Sequence, residues 1–392
     1  MDSISKGTHY LYFFDLNEIL LDRYPASIAK SINEITKQKL EFIFFYSEVY
    51  NEDKPTPNKL PPNSIVVFER LFSREILEGY IQKYPPAAFL TIGLRIPDIF
   101  LLGYFNRIGV KTYMVQHGIF TNHLQRIPIY KLLREKASKF NQYLKYSYEI
   151  SIISNTNFIP LVKDLYRFYF QGKRNFPDLE TIKNSNLISQ TAFIFDRSWV
   201  NYYQRKYGYS KQSFKYIGNP DYQLITNFTR LPIENSVCYI CQSLVEDGRY
   251  LEKDYIEFLK SLKETFRNQK LYLKLHPRSK LKLYKPFESE NFILTEEFKN
   301  CHTYIGHYSS LVELSYQLGR NVILWNLKDH DIPENFRQYA SIICNDWKEV
   351  LSFLRKIKKD SFQAQEEIEN YLREGLTPIE KISQIIIEDL KE

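Results

Sequence analysis

Three short stretches in the second half of this 392-residue chain hold side chains suited to group transfer: Glu246-Asp247-Gly248, Lys274-Leu275-His276-Pro277 and His307-Tyr308-Ser309-Ser310. Each follows an apolar, β-like run. In a parallel α/β sheet, residues at the carboxyl ends of strands face a common crevice, so the three stretches are expected to converge. A carboxylate can accept a proton from an attacking hydroxyl. An imidazole and paired hydroxyls can hold a departing phosphate. Such a set could move a sugar from a nucleotide donor to an alcohol.

Each stretch also has a plainer reading. Glu246 and Asp247 are adjacent carboxylates that raise each other's cost of ionising, which tunes one as a base. Gly248 permits a tight turn or a close backbone approach to a ligand. Alone, the same three residues are an acidic surface turn. Lys274 and His276 share one face if the strand continues to them, since side chains alternate with period two. Pro277 stops that strand, and Arg278 adds charge. Ser309 and Ser310 precede the apolar run Leu311-Val312-Glu313-Leu314, where a serine is usually a helix cap. A helix start is also an anion site, so one serine can cap while the other holds a phosphate.

Gln116-His117-Gly118 places another histidine after the strand-like run Lys111–Val115, and His123 follows in a loop. Asp329-His330-Asp331 spells a D-x-D pattern inside a polar loop and reads as chance. The chain holds four cysteines, and Cys238-Tyr239-Ile240-Cys241 spells C-x-x-C. In a strand that spacing sends the two thiols to opposite faces, so they are expected as small buried hydrophobes rather than a metal or redox pair. No P-loop, G-x-S-x-G, H-E-x-x-H or G-x-G-x-x-G motif occurs.

The elements that must position these residues alternate. Strands are expected at Tyr10–Phe14, Phe42–Phe45, Ser64–Phe68, Ala88–Ile92, Lys111–Val115, Ala192–Phe195 and Phe214–Ile217. Helices are expected at Ile28–Lys37, Arg74–Lys83, Pro97–Arg107 and Trp199–Tyr207. A second series has strands at Val237–Cys241, Leu271–Leu275, Phe292–Leu294, Thr303–Ile305, Val322–Trp325 and Ser341–Cys344. Its helices are expected at Glu252–Phe266, Leu311–Leu318 and Lys348–Lys358. This alternation predicts two α/β units with parallel sheets. Gly218-Asn219-Pro220-Asp221 is a turn cluster, and 221–235 reads as the linker. The expected division is 1–230, 231–375 and a last helix in 376–392 that packs back on the first domain. A further helical stretch is expected at Gln363–Arg373. Residues 120–185 break the rhythm with Lys131, Arg134, Lys136, Lys139 and Lys145 among tyrosines and phenylalanines. They read as a basic, aromatic helical insertion that meets a membrane or polyanionic acceptor, or as a solvated helical pair.

Composition limits the alternatives. A chain of 392 residues exceeds one ordinary core, so two domains of about 150–200 residues are expected. Charged residues at 25% and hydrophobic residues at 44% describe a globular protein. The 16% aromatic content follows from 31 Tyr and 28 Phe, and it reads as compositional bias or as stacking surface for sugars. A net charge of +7 suits an anionic ligand or an anionic membrane surface. No apolar run nears the ~20 residues of a membrane span, and the first residues do not read as a signal peptide. The expected location is cytoplasmic, or peripheral on the inner face of the plasma membrane.

Taken together, Glu246-Asp247-Gly248, His276-Pro277 and Ser309-Ser310 resemble the motifs of bacterial sialyltransferases and polysialyltransferases. The resemblance covers ordered landmarks over about residues 237–320. It implies a GT-B fold, α/β, with two Rossmann-like doubly wound domains facing a central cleft and the nucleotide held mainly by the second. It implies that Asp247 is the general base and that His276, Ser309 and Ser310 bind the donor phosphate. The donor would be a CMP-activated acidic sugar, the acceptor a glycan or glycolipid, and the reaction inverting. No metal and no cofactor is implied, since a monophosphate leaving group needs less neutralisation than a diphosphate. The expected catalytic set is Asp247, Glu246 and His117. The expected donor set is Lys274, His276, Pro277, Ser309, Ser310, Tyr308 and Gly248.

Capsule-type Kdo transferases are similar around His276-Pro277. Teichoic-acid glycerophosphotransferases resemble the chain at His117-Gly118, at Lys274-x-His276-Pro277 and at Tyr308-Ser309-Ser310, but commonly carry Asp where this chain has His307. Polyol-phosphate transfer and sugar-nucleotide epimerisation therefore stand as alternatives. A non-catalytic nucleic-acid binder is the remaining option. It is disfavoured because the basic residues cluster in 120–185 without a nucleic-acid module.

Overall fold

The computed structural model describes residues 9–16, 18–36, 40–47, 59–118, 129–163, 185–225, 228, 232–328, 332, 334–356 and 376–391. The chain divides into two compact units. The first comprises Met1–His117, Tyr130–Pro220 and Thr377–Glu392, and the second Gly118–Ile129 and Asp221–Leu376.

The first unit is built on strands β1 (His9–Asp15), β2 (Leu40–Tyr46), β3 (Ser64–Phe68), β4 (Pro86–Thr91), β5 (Lys111–Val115), β6 (Thr191–Ile194) and β7 (Phe214–Tyr216). They form one parallel sheet in the order β3-β2-β1-β4-β5-β6-β7. Leu11 to Asp15 of β1 are all buried. Burial on both faces is why this strand reads as an unbroken apolar run rather than an alternating one. Helix Ile96–Arg107 starts with proline in its first turn and buries Ile96 to Phe105 without interruption. The missing proline N–H costs nothing there.

The second unit has β8 (Ile233–Ile240), β9 (Lys270–Lys274), β10 (Phe292–Thr295), β11 (Cys301–Gly306), β12 (Asn321–Trp325) and β13 (Ile342–Cys344). They too form a parallel sheet, in the order β10-β9-β8-β11-β12-β13. In each sheet the order turns back beside the unit's first strand, between β1 and β4 and between β8 and β11. Ligands of doubly wound sheets bind outside the carboxyl ends of the strands at this switch point.

Every expected strand is present, with ends moved by a few residues. The stretch expected as a linker is not one throughout. Asp221 and Tyr222 are buried in the second unit, and β8 already begins at Ile233. The helix expected from Ile28 starts at Pro25. Within the basic stretch, Ile129–Ser154 is one helix. Its later half buries Tyr146 and Ile150, and the Tyr146 hydroxyl accepts from the Phe72 amide at 3.2 Å. The side chains of Lys131, Arg134, Lys136 and Lys139 lie outside the described residues, as do 119–128, 164–184, the expected helix Gln363–Arg373 and the Asp329-His330-Asp331 loop.

Helix Pro378–Asp389 is capped at Thr377, whose hydroxyl accepts from the Glu380 amide. It lies on helix Pro25–Ile35 and sends Ile379, Ile382, Ile386 and Ile387 into a core with Ile28 and Ile32. That spacing is one face of a helix. Asp389 ties its far end to β5, taking a hydrogen bond from Tyr113 at 2.8 Å and one from Lys111 through its backbone oxygen. All four cysteines are buried and unpaired.

Candidate functional site

The carboxyl ends of β8, β9 and β11 carry the site. Beyond β8 the chain turns over Ser243–Gly248, with the Asp247 amide on the Ser243 carbonyl at 2.9 Å and the Gly248 amide on Val245 at 3.0 Å. Gly248 closes the turn at φ +64°, where a side chain would be strained. The turn holds Asp247 inward. Arg278, from beyond β9, grips its carboxylate with both terminal nitrogens at 2.7 and 3.0 Å. The Ser243 hydroxyl donates to the same carboxylate at 2.9 Å and accepts from Arg278 at 3.0 Å, while Arg249 approaches to 3.4 Å. Glu246 accepts the Lys280 amide at 2.9 Å and the Tyr284 hydroxyl at 3.4 Å through one oxygen. Among the described residues its other oxygen, which is buried, has no hydrogen-bond partner.

β9 ends at Lys274, whose ammonium donates to the Leu275 carbonyl at 2.7 Å. His276 stands past the strand end, in a turn closed by the Ser279 amide on its carbonyl at 2.8 Å. The Arg278 amide donates to His276 Nδ1 at 3.1 Å. A nitrogen that accepts cannot carry the proton, so the neutral ring is protonated at Nε2 and presents it as a donor. Pro277 is exposed at the tip of this turn.

After β11 the chain enters helix Ser310–Gln317. Ser309 is its N-cap and accepts from the Leu311 amide at 3.3 Å. The Ser310 hydroxyl donates to Asp221 at 3.0 Å. Before them, Tyr308 is clasped by Gln242. The Gln242 side-chain oxygen accepts the Tyr308 amide at 3.2 Å, and its nitrogen donates to the Tyr308 carbonyl. One side chain thus ties the ends of β8 and β11 at the switch point. Burial pushes the Tyr308 phenol up to about 12, against the pull of Arg249.

His307 is fully buried. Its Nδ1 faces the Trp325 carbonyl at 2.8 Å and its Nε2 the Tyr239 hydroxyl at 2.8 Å. A carbonyl only accepts, so Nδ1 bears the proton and Nε2 accepts from Tyr239. The residue that departs from the glycerophosphotransferase pattern therefore ties β8, β11 and β12 together beneath the site.

In the first unit, His117 follows β5 and lies edge-on to Tyr24, ring centres 5.4 Å apart. The sheet's own switch point carries a different cluster. Arg95, beyond β4, pairs with Asp15 at the end of β1 at 2.9 and 3.2 Å and with Asp98 at 2.6 Å. Thr91 donates to Asp98 as well. Burial works against the Arg95 charge, but the two carboxylates outweigh it and hold its pKa well above the ordinary value.

The structure thus brings Asp247, Glu246, Gly248, Lys274, His276, Pro277, Tyr308, Ser309 and Ser310 to the carboxyl edge of one sheet, and His117 to the edge of the other. Sequence reasoning missed Gln242, Ser243, Arg249 and Asp221. Their one legible signal was position, directly after a strand or in the turn before a unit begins. Among the described residues no three His, Cys, Asp or Glu side chains gather as a metal site would need. No described helix is long and apolar enough to cross a membrane.

No family model and no curated protein matches the chain. Solved structures do. A variant of the wall teichoic acid polymerase TagF superposes with a TM-score of 0.53 at 13% identity, over 98% of this chain and 89% of that one. The UDP-GlcNAc 2-epimerase from Neisseria meningitidis, bound to UDP-GlcNAc, superposes with a TM-score of 0.50 at 10% identity, over 98% and 99%. At these identities the likeness shows the fold. It is GT-B, two doubly wound Rossmann-like units in one chain.

Proposed function

We propose that this chain is a glycosyltransferase that moves an acidic sugar, sialic acid or a related nonulosonic acid, from a CMP-activated donor to a hydroxyl of a bacterial surface glycan. The observation that carries the reading is the gathering of a carboxylate, two arginines, an imidazole donor and a capped helix start at the β8–β9–β11 edge. The TagF and epimerase likenesses support a nucleotide-linked donor on this fold, one TagF structure being of a crystal soaked with CDPG.

In this reading the donor phosphate lies at the helix start beside Ser309 and takes the His276 Nε2 proton in a hydrogen bond. Arg278 and Arg249 meet its charge, without a metal. Arg278 is the shared part. While it grips Asp247, the carboxylate is occupied. A phosphate that draws Arg278 away leaves Asp247 to take the acceptor's proton. The acceptor oxygen then bonds the anomeric carbon, the bond from that carbon to the phosphate oxygen breaks, and CMP departs with the electron pair. Charge grows on the phosphate as it leaves, so His276 and the arginines stabilise the transition state more than the bound donor.

The test is a hydrolysis screen over CMP-sialic acid, CMP-Kdo, CDP-glycerol and UDP-GlcNAc, followed by Asp247→Asn. Turnover of the CMP-sugar is expected, with Asp247→Asn slowing it by about 10²–10⁴-fold. Donor affinity should hold, because that variant releases Arg278 rather than removing it. Turnover of CDP-glycerol alone would instead favour polyol-phosphate transfer, the reading closest to TagF. Glu246 is the second base candidate, on the ground of its buried oxygen, which no described residue bonds. Full activity in Asp247→Asn with loss in Glu246→Gln would transfer the role to it.

A further inference from the structure

At the carboxyl ends of β12 and β13 in the second unit lies a cleft of about 580 Å³. That volume is within the range of about 300–1,000 Å³ typical of small-molecule sites. One wall is a face of helix Glu252–Thr265, where Asp254, Glu257 and Ser261 recur at helical spacing. The carboxyl ends of β12 and β13 also line it, with Asn326, Lys328 and Asn345. Its aromatic lining is Tyr250, Phe258, Trp325 and Trp347. Trp325 and Trp347 stack with ring centres 3.9 Å apart, and Phe258 packs against both. Trp325 is nearly buried, whereas Trp347 keeps part of its surface exposed.

A flat aromatic surface packs the C–H face of a pyranose ring, and carboxylates and amides arranged around it hydrogen-bond the equatorial hydroxyls. The polar groups here are of that kind. Two carboxylates against one lysine give the cleft a negative balance, which opposes an acidic sugar and admits a neutral or amine-bearing one. Asp247, His276 and Ser309 do not line it, and Tyr250, which follows Arg249, stands where it borders their site.

We infer that this cleft is a second carbohydrate site, which holds a neutral or amino-sugar unit of a glycan. The inference rests on the glycan reading above only for why a sugar should be there. Its purpose would be to keep an already built stretch of acceptor on the enzyme.

The test needs no donor. The chain has three tryptophans, Trp199, Trp325 and Trp347, so Trp199→Phe leaves emission to the stacked pair alone. That protein is titrated with glucose, N-acetylglucosamine, glucosamine and glucuronate to concentrations of about 10–50 mM, enough to register millimolar affinity. A saturable change is expected with the first three, and glucuronate should bind at least about tenfold more weakly. Asp254→Asn with Glu257→Gln should weaken the neutral sugars by about tenfold or more. Its melting curve should match the parent's, since both residues lie outside the core. No saturable change with any sugar, tighter binding of glucuronate, or titrations untouched by the double variant would each overturn the inference. Failure of the nucleotide screen would leave this titration standing, so the two readings fall separately.

Discussion

Gln242→Leu offers the sharpest test of how the site is held. Gln242 makes two hydrogen bonds to one residue, accepting the Tyr308 amide at 3.2 Å and donating to its carbonyl. Leucine matches the volume and removes both. Tyr308 is 5% exposed, so water does not readily replace the lost partners. Each buried backbone group that loses its partner costs about 1–3 kcal/mol, about 2–6 kcal/mol for the two, and leucine recovers part of that through its own burial, so the net cost is about 2–4 kcal/mol. With a urea slope of about 1–3 kcal/mol per molar, the second unit's unfolding midpoint should fall by about 1–2 M. Gln242→Glu should be at least as costly, since it turns a carboxylate oxygen on the Tyr308 carbonyl while keeping the amide acceptor. Because Ser309 follows directly, both variants should also weaken nucleotide binding by about tenfold or more, 1.4 kcal/mol in affinity. Urea melts followed by tryptophan emission, and calorimetry with CMP, measure the two effects. Midpoints within about 0.3 M of the parent would show that Tyr308 needs no clasp, and would refute the view that Gln242 sets the geometry of the helix start.

Arg95→Leu should destabilise the first unit by about 3–5 kcal/mol, because it removes the cation that faces the buried Asp15 and Asp98 carboxylates. Adding Asp15→Asn and Asp98→Asn should restore most of that in thermal melts, and no rescue would mean that Arg95 acts by packing. Neutralising Lys131, Arg134, Lys136 and Lys139 together should lower binding to anionic vesicles or polyanionic acceptors while sparing donor hydrolysis, each charge being worth on the order of 1 kcal/mol at an anionic surface. Vesicle sedimentation at low and high salt separates that from loss of folding.

The strands were legible because they are buried on both faces. Runs such as Tyr10–Phe14 and Val322–Trp325 have nowhere to sit but the middle of a parallel sheet, and their spacing left room for a helix between them. The strand ends then placed the chemical residues at one edge. What stayed hidden is held by tertiary pairing. Nothing in the local sequence says that Arg278 will reach back to Asp247, or that Asp221 will leave the expected linker to hold Ser310. His307 was legible only as an oddity against a pattern. Its structural use depends on a Tyr239 and a Trp325 that lie far off in sequence.

The helix Pro378–Asp389 has a consequence for synthesis. It belongs to the first unit's core, yet all of Asp221–Leu376 is made before it. At about 5–20 residues per second, the first unit waits on the order of 8–30 s without it. Throughout that interval Ile28 and Ile32 on the helix Pro25–Ile35 lack the isoleucines that cover them. Each covering side chain contributes about 1.5–3 kcal/mol of burial, so the nascent first unit is both weaker and stickier than the finished one. The chain thus makes its second unit while the first still lacks this helix, and a ribosome-bound chaperone would find its apolar target on the Pro25–Ile35 helix.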